Sequence, residues 1–300
     1  MVAMADIKQH VREFYDQVGW LEVSEGVYQN ARYEDLRPVS REYIHRCHLR
    51  VSRHIKPEGR YFLDAGSGPI QYPEYLEYSK GYNYRVCADI SYVALQEARK
   101  RVGDHGLFVV ADVANLPFAP ETFEGVVSLH TIHHLPQEEH VQAYRELYRV
   151  LSPGCSASVV NGWGDALIPR LLSNPMRWTN RLLGVVRRLL GITPTEHPAK
   201  PVSMSDDNKP TSTFVRKDSA DWLKEQLATL MPIEIVVWRG ISVKHLRTFI
   251  HQGWGGCYVL RFLFWLEERF PHFFGEKGQY PLVVIRKMSY TDEFTERTHE

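Results

Sequence analysis

An α/β fold with a doubly wound, mostly parallel sheet is predicted for this chain on three observations. Short apolar runs rich in Val, Ile and Tyr alternate with helical patterns from Arg60 onward. Most of these runs are continuous rather than alternating, as strands covered on both faces should be. Three successive runs end in an aspartate, and the first of these is followed by a Gly-x-Gly turn.

In chain order, strands are expected at Tyr61–Leu63, Tyr84–Ala88, Leu107–Val110, Val126–Leu129 and Ser158–Val160. Between them, helices are expected at Glu74–Ser79, Ser91–Val102 and Glu138–Leu151. Ser91 suits the N-cap of the second helix, whose Leu95, Ala98 and Val102 share one face. The third should stop at Ser152-Pro153-Gly154. Strand–helix alternation at this spacing makes βαβ units and hence a parallel sheet. Two Val- and Ile-rich runs, Ile233–Trp238 and Leu282–Ile285, should extend the sheet, with an aromatic, helical stretch Val243–Phe274 between them. Residues before Arg60 read as an amphipathic helical cap outside the sheet, and Thr193–Thr213 as a mobile loop.

Composition narrows the function classes. The chain has 300 residues, 44% of them hydrophobic, which is enough for a sizeable core. Lys+Arg and Asp+Glu both number 36, so no global basic field would concentrate nucleic acid. Four cysteines, at 47, 87, 155 and 257, form no C-x-x-C pair and point to a reducing compartment. No secretory pattern opens the sequence, and the most apolar stretch, Cys257–Phe270, is interrupted by Arg261 and by Glu267-Glu268-Arg269. A cytoplasmic location is expected.

The informative turn is Phe62-Leu-Asp64-Ala-Gly66-Ser67-Gly68-Pro69. Two glycines one residue apart permit a sharp turn and close backbone approach to a ligand. A dinucleotide fingerprint needs a further glycine where Gln71 stands, and the Walker lysine is missing. No Lys or Arg occurs from Phe62 to Ser79, so the local charge favours a ligand with cationic groups over a pyrophosphate. Asp89 closes the second strand and can accept hydrogen bonds from ribose hydroxyls; the alternative is that it caps the following helix. Asp112 closes the third strand, where an adenine amino group could be read.

These residues, with Ala88-Asp89-Ile90-Ser91, Ala111-Asp112-Val113-Ala-Asn115-Leu-Pro117-Phe118, Phe123-Glu124-Gly-Val-Val-Ser128, His133-His134-Leu-Pro136 and Glu146-Leu-Tyr-Arg149-Val-Leu-Ser-Pro153-Gly154, resemble the class I S-adenosylmethionine-dependent methyltransferase family, in its small-molecule branch. The resemblance runs from about Arg60 to Asn161, with the motifs in family order. It implies a Rossmann-like, seven-stranded sheet whose last strand, Leu282–Ile285, is antiparallel. It also implies S-adenosylmethionine as cofactor, with Asp64, Gly66, Ser67 and Gly68 around its methionine half and Asp89 on the ribose. Ile90 would pack on the adenine, Asp112 and Val113 would lie at its polar edge, and Leu129 and His130 near the methionine carboxylate and methyl group. Two positions depart from the family pattern: Ile70 replaces a frequent third glycine, and Cys155 the second glycine of a Pro-Gly-Gly turn.

The expected layout is a single domain: a cap at 1–59, a cofactor-binding half at 60–161, an inserted helix and loop at 162–215, the rest of the sheet at 216–288 and a tail at 289–300. His130 and then His133 are the candidates for a general base or acceptor contact, at the carboxyl edge of the fourth strand. On a helical turn His130 and His134 would share a face; packing and loop hydrogen bonds are the plainer role for these histidines. No metal is expected, because Thr131 stands where H-E-x-x-H has its glutamate. The acceptor is expected to be a small, partly apolar molecule. One alternative is a lipid-linked acceptor met at an anionic membrane surface through the arginine-rich residues 177–190, where Trp178, Leu182, Val185, Val186 and Leu189 form one face. Another is a cofactor-binding module without catalysis.

Overall fold

The computed structural model describes residues 4–20, 22–24, 27–28, 34–189 and 213–289. The chain begins with α1 (Met4–Phe14), which continues into a wider π-helical turn at Tyr15–Gly19. A short hairpin follows, of β1 (Glu22–Ser24) and β2 (Val27–Tyr28), and then α2 (Pro38–Leu49).

The expected alternation follows as β3 (Gly59–Ala65), α3 (Glu74–Glu77), β4 (Tyr82–Asp89), α4 (Tyr92–Val102), β5 (Gly106–Val110), β6 (Phe123–Leu129), α5 (Gln137–Val150) and β7 (Leu151–Val160). After it come α6 (Leu167–Leu189), α7 (Ala220–Leu227), β8 (Ile233–Arg239), α8 (Val243–Phe249), α9 (Gly256–Arg269), α10 (Pro271–Lys277) and β9 (Tyr280–Arg286). Seven strands form one sheet in the order β5-β4-β3-β6-β7-β9-β8. Every pairing from β5 to β7 is parallel, and β9 runs antiparallel to both its neighbours. The seven strands and the single reversed one are therefore as expected.

Two cores flank the sheet, because successive side chains on a strand point to opposite faces. Leu63, Val126, Val159 and Val283 bury on one face with Leu147 of α5 and Leu223 of α7. Phe62, Val127, Val160 and Leu282 bury on the other with Leu95 and Ala98 of α4. A satellite core joins Tyr43 and Ile44 of α2 to Leu246 of α8 and Leu260 and Phe264 of α9. Ser91 caps α4 as its sequence suggests, its hydroxyl accepting from Ala94 N at 3.0 Å.

Several bounds differ from expectation for identifiable reasons. β7 starts seven residues early because Ser152-Pro153-Gly154 bends within a strand: Gly154 takes φ +73° and its N–H donates to Lys287 O. The stretch from Val243 divides into three helices, since Gly255 at φ +66° breaks it and Pro271 starts a new one. The expected loop falls outside the described residues apart from Thr213, as do the side chains of Trp178, Leu182, Val185, Val186 and Leu189 and the tail beyond Ser289.

Sheet order fixes the site. From β3 the chain winds outward through β4 to β5, then returns across β3 to β6, so the crevice opens at the carboxyl ends of β3 and β6. β8 points the same way as these strands, and β9 begins at that edge, so Trp238, Arg239 and Tyr280 also reach it.

Candidate active site

A cavity of about 550 Å³ runs along this edge, within the range of roughly 300–1,000 Å³ usual for small-molecule sites. At the β3–β4 end it is lined by Asp64, Gly66, Ser67, Gly68, Asp89 and Ile90. Leu129, His130, Thr131, His133 and His134 line its centre. Trp238, Arg239, Tyr280 and Lys217 line the far end, with Tyr72, Tyr75 and Glu34. Val11, Phe14, Tyr15 and Trp20 complete the wall from the N-terminal segment.

The glycine turn is held from several sides. Gly66 and Ser67 donate backbone N–H bonds to Ala88 O, at 2.7 and 3.2 Å. Gly66 sits at φ +77°, and a Cβ there would lie 2.2 Å from Thr131. Gly68, at φ +54°, faces the Trp20 ring, which a Cβ would meet at 3.1 Å. Ile70, where the family often has glycine, also adopts a left-handed φ of +56° although fully buried and β-branched. That backbone is costly for such a residue; Arg101 pins it by donating to Ile70 O at 2.7 Å.

Asp89 spans the turn. One carboxylate oxygen accepts from Gly68 N and the other from Ser91 N, both at 2.8 Å. The capping role belongs to Ser91, so Asp89 is no helix cap. Burial, with the charges of Asp64 and Asp16, outweighs those two bonds and raises its pKa to about 6.

Although no Lys or Arg occurs from Phe62 to Ser79, the Asp64 carboxylate is already neutralised in the fold. The fully buried Arg85 of β4 makes an ion pair with it, while donating also to Tyr75 O. The missing positive charge arrives from the neighbouring strand, not from the turn. Asp112 and Val113 do not line the cavity. Val113 is buried in the core, and Asp112 pairs with Lys8 of α1. The N-terminal helix occupies the edge where the third acid was expected to meet a ligand.

The histidines are also arranged differently from a shared helical face. The helical turn covers only Ile132–His134, and His130 precedes it at φ +57°. His134 joins the cap to the core: Nδ1 bonds Phe214 O at 2.7 Å, and Nε2 meets Tyr15 Oη at 2.8 Å. His133 meets Asn161 Oδ1 at 3.1 Å. His130 packs edge-on to Trp238 and Tyr280, with ring centres 5.1 and 5.7 Å away. Burial, with Arg239 nearby, pushes its pKa down to about 3, so the ring is neutral at pH 7. A base this weak gains little from general-base catalysis near neutrality.

Residues 63–159 match the family model of a methyltransferase domain. This stretch carries a methyltransferase domain. The chain is 33% identical over 101 residues to methyltransferase GfsG of Streptomyces halstedii, covering 32% of this chain and 35% of that one. It is 27% identical over 168 residues to sterol methyltransferase-like 1 of Botryococcus braunii, covering 53% and 42%. The chain thus spans less than half the length of these relatives. Its fold resembles that of a geranyl diphosphate C-methyltransferase from Streptomyces coelicolor A3(2), with a TM-score of 0.51 at 14% identity, over 94% of this chain and 98% of that one.

Within the methyltransferase domain the sequence pointed to the glycine turn and to the ends of β3, β4 and β6. It missed the far wall. Glu34 reaches Arg239 from the cap, a pairing that carries no local signal. An arginine closing the apolar run Ile233–Trp238 was the available clue to Arg239.

Proposed function

We propose that this domain transfers the methyl group of S-adenosylmethionine to a small, partly apolar acceptor. The observation that carries the reading is the half-buried Asp89 carboxylate beside two left-handed glycines at the end of one cavity. The residues suit the nucleoside: Asp89 accepts from ribose hydroxyls, Ile90 offers an apolar face to adenine, and the backbone of Gly66–Gly68 admits the methionine tail where side chains would collide. When bound, S-adenosylmethionine supplies an already activated methyl group on a sulfonium.

The chain's own work is then alignment and exclusion of water. Alignment of reactants can contribute several kcal/mol, up to about 7–11 in well-oriented cases. Tyr15, Phe14 and Trp20 cover the cofactor end, tied down through Tyr15 to His134. Trp238, Tyr280, Tyr72 and Tyr75 offer an apolar surface to the acceptor beyond His130. The neutral His130 serves as an aligning contact between the two ends.

Calorimetric titration of S-adenosylhomocysteine against the nicotinamide dinucleotides tests the cofactor. Tighter binding of a dinucleotide would overturn the reading. Incubation with methyl-labelled S-adenosylmethionine and fractionated extract, followed by mass spectrometry, identifies the acceptor. Binding without turnover on any fraction would favour a non-catalytic module.

A second reading places a lipid-linked acceptor at a membrane surface. Trp254, Tyr258, Phe262 and Trp265 are all more than half exposed along one stripe of α9 and the turn before it. Ile168 and Leu172 of α6, the helix that carries exposed Arg170, Arg177 and Arg181, pack into the same satellite core. Interfacial binding combines such aromatic and basic groups. Unchanged sedimentation with anionic vesicles after replacing Arg177, Arg181 and Arg188 by Gln would remove this reading.

A further inference from the structure

Charge is distributed unevenly along the cavity. Among the described residues, each carboxylate that lines it is already engaged: Asp89 by the Gly68 and Ser91 N–H groups, Asp64 by Arg85, and Glu34 by Arg239. Lys217, on the segment that leads into α7, lines the far end and has no carboxylate or other acceptor partner among the described residues.

The segment that carries Lys217 is held firmly. His134 Nδ1 meets Phe214 O at 2.7 Å, Arg216 N donates to His133 O at 2.7 Å, and Gly164 N donates to Asp218 O at 3.0 Å. Asp218 is fixed in turn by the buried His140, 2.7 Å away. The ammonium lies over the bare backbone of Gly162, where a Cβ would come within 3.3 Å of Nζ. It is near enough to His133 and His134 for its charge to lower the basicity of both. Although the Lys217 side chain is exposed overall, the protein packed around its ammonium and the neighbouring Lys244 disfavour its charged form, so an anion placed here would relieve an unfavourable field. Donors are in surplus along the same cavity as well: Arg239 Nε and Trp238 Nε1 are buried without acceptors among the described residues.

We infer that the acceptor carries an oxyanion, a carboxylate or a phosphate, that docks against Lys217 while its apolar body lies along Trp238 and Tyr280. This rests on the methyl-transfer reading and specifies its substrate class. Lys217 is then the residue that selects and orients the acceptor at the end remote from the cofactor.

The test uses three probes with one apolar body: 4-phenylbutanoate, 4-phenylbutyl phosphate and the neutral 4-phenylbutanol. Each is titrated at pH 7 into the full chain saturated with S-adenosylhomocysteine. At least one anion should bind ten-fold or more tighter than the alcohol, and which one does separates carboxylate from phosphate. Lys217→Met should erase that preference while leaving alcohol binding and S-adenosylhomocysteine affinity unchanged, and Lys217→Arg should retain it. Anions that bind no better than the alcohol, or bind Lys217→Met as they bind the parent, would overturn the inference. Failure of S-adenosylhomocysteine itself to bind would instead strike the underlying reading.

Discussion

Lowering the pH from 7 to 5 should weaken S-adenosylhomocysteine binding about ten-fold, through one carboxyl group. In the ligand-free chain Asp89 titrates at about 6, because burial and the nearby Asp64 and Asp16 charges outweigh the N–H donors of Gly68 and Ser91. Ribose hydroxyls donate to the ionised carboxylate, so the bound state needs it deprotonated. The sign follows: affinity is full above the free-chain pKa and falls as the pH drops through it. About nine-tenths of the chains carry the ionised form at pH 7 and about one-tenth at pH 5, a difference of roughly 1.4 kcal/mol. His130 and His134 titrate at about 3 and about 4, below most of this window. Calorimetry at pH 5, 6, 7 and 8, in two buffers of different ionisation enthalpy, reads both the affinity and the released proton. Asp89→Asn should flatten the pH profile and weaken binding at pH 7 by about 1.5–3 kcal/mol, as hydrogen bonds to a charged acceptor are lost. An affinity constant from pH 5 to 8 in the parent, or an unchanged slope in Asp89→Asn, would refute the assignment.

Three other outcomes follow from the geometry. Gly66→Ala combines a left-handed backbone with a Cβ 2.2 Å from Thr131, so urea unfolding should show at least about 1–2 kcal/mol lost, with weaker cofactor binding. Arg85→Met strands the buried Asp64 carboxylate and should cost about 3–5 kcal/mol, much of it recovered in the Asp64→Asn/Arg85→Met double variant; equal stability of the single variant and parent would contradict a sealed ion pair. His130→Ala should lower turnover about ten-fold or more while leaving S-adenosylhomocysteine affinity nearly unchanged, and the parent's rate profile should show no limb from His130 above pH 5.

Local pattern determined the sheet and half of the cavity. Apolar runs such as Val126–Leu129 are legible because a strand buried on both faces leaves a continuous signature, and a Gly-x-Gly turn after an aspartate marks where backbone approaches a ligand. Strand ends were harder to read, since Arg85 inside β4 and Ser152-Pro153-Gly154 inside β7 interrupt the pattern without ending the strand.

Only the tertiary structure decided how charge and cover are distributed. Arg85 neutralises Asp64 from the next strand, Lys8 diverts Asp112 from the cavity, and Glu34 reaches across 205 positions to Arg239. The basicity of His130 is set by Trp238, Tyr280 and Arg239, which lie more than a hundred positions away in the chain. Such pairings leave no local trace, because they depend on which strand edges and cap surfaces meet when the sheet closes its order.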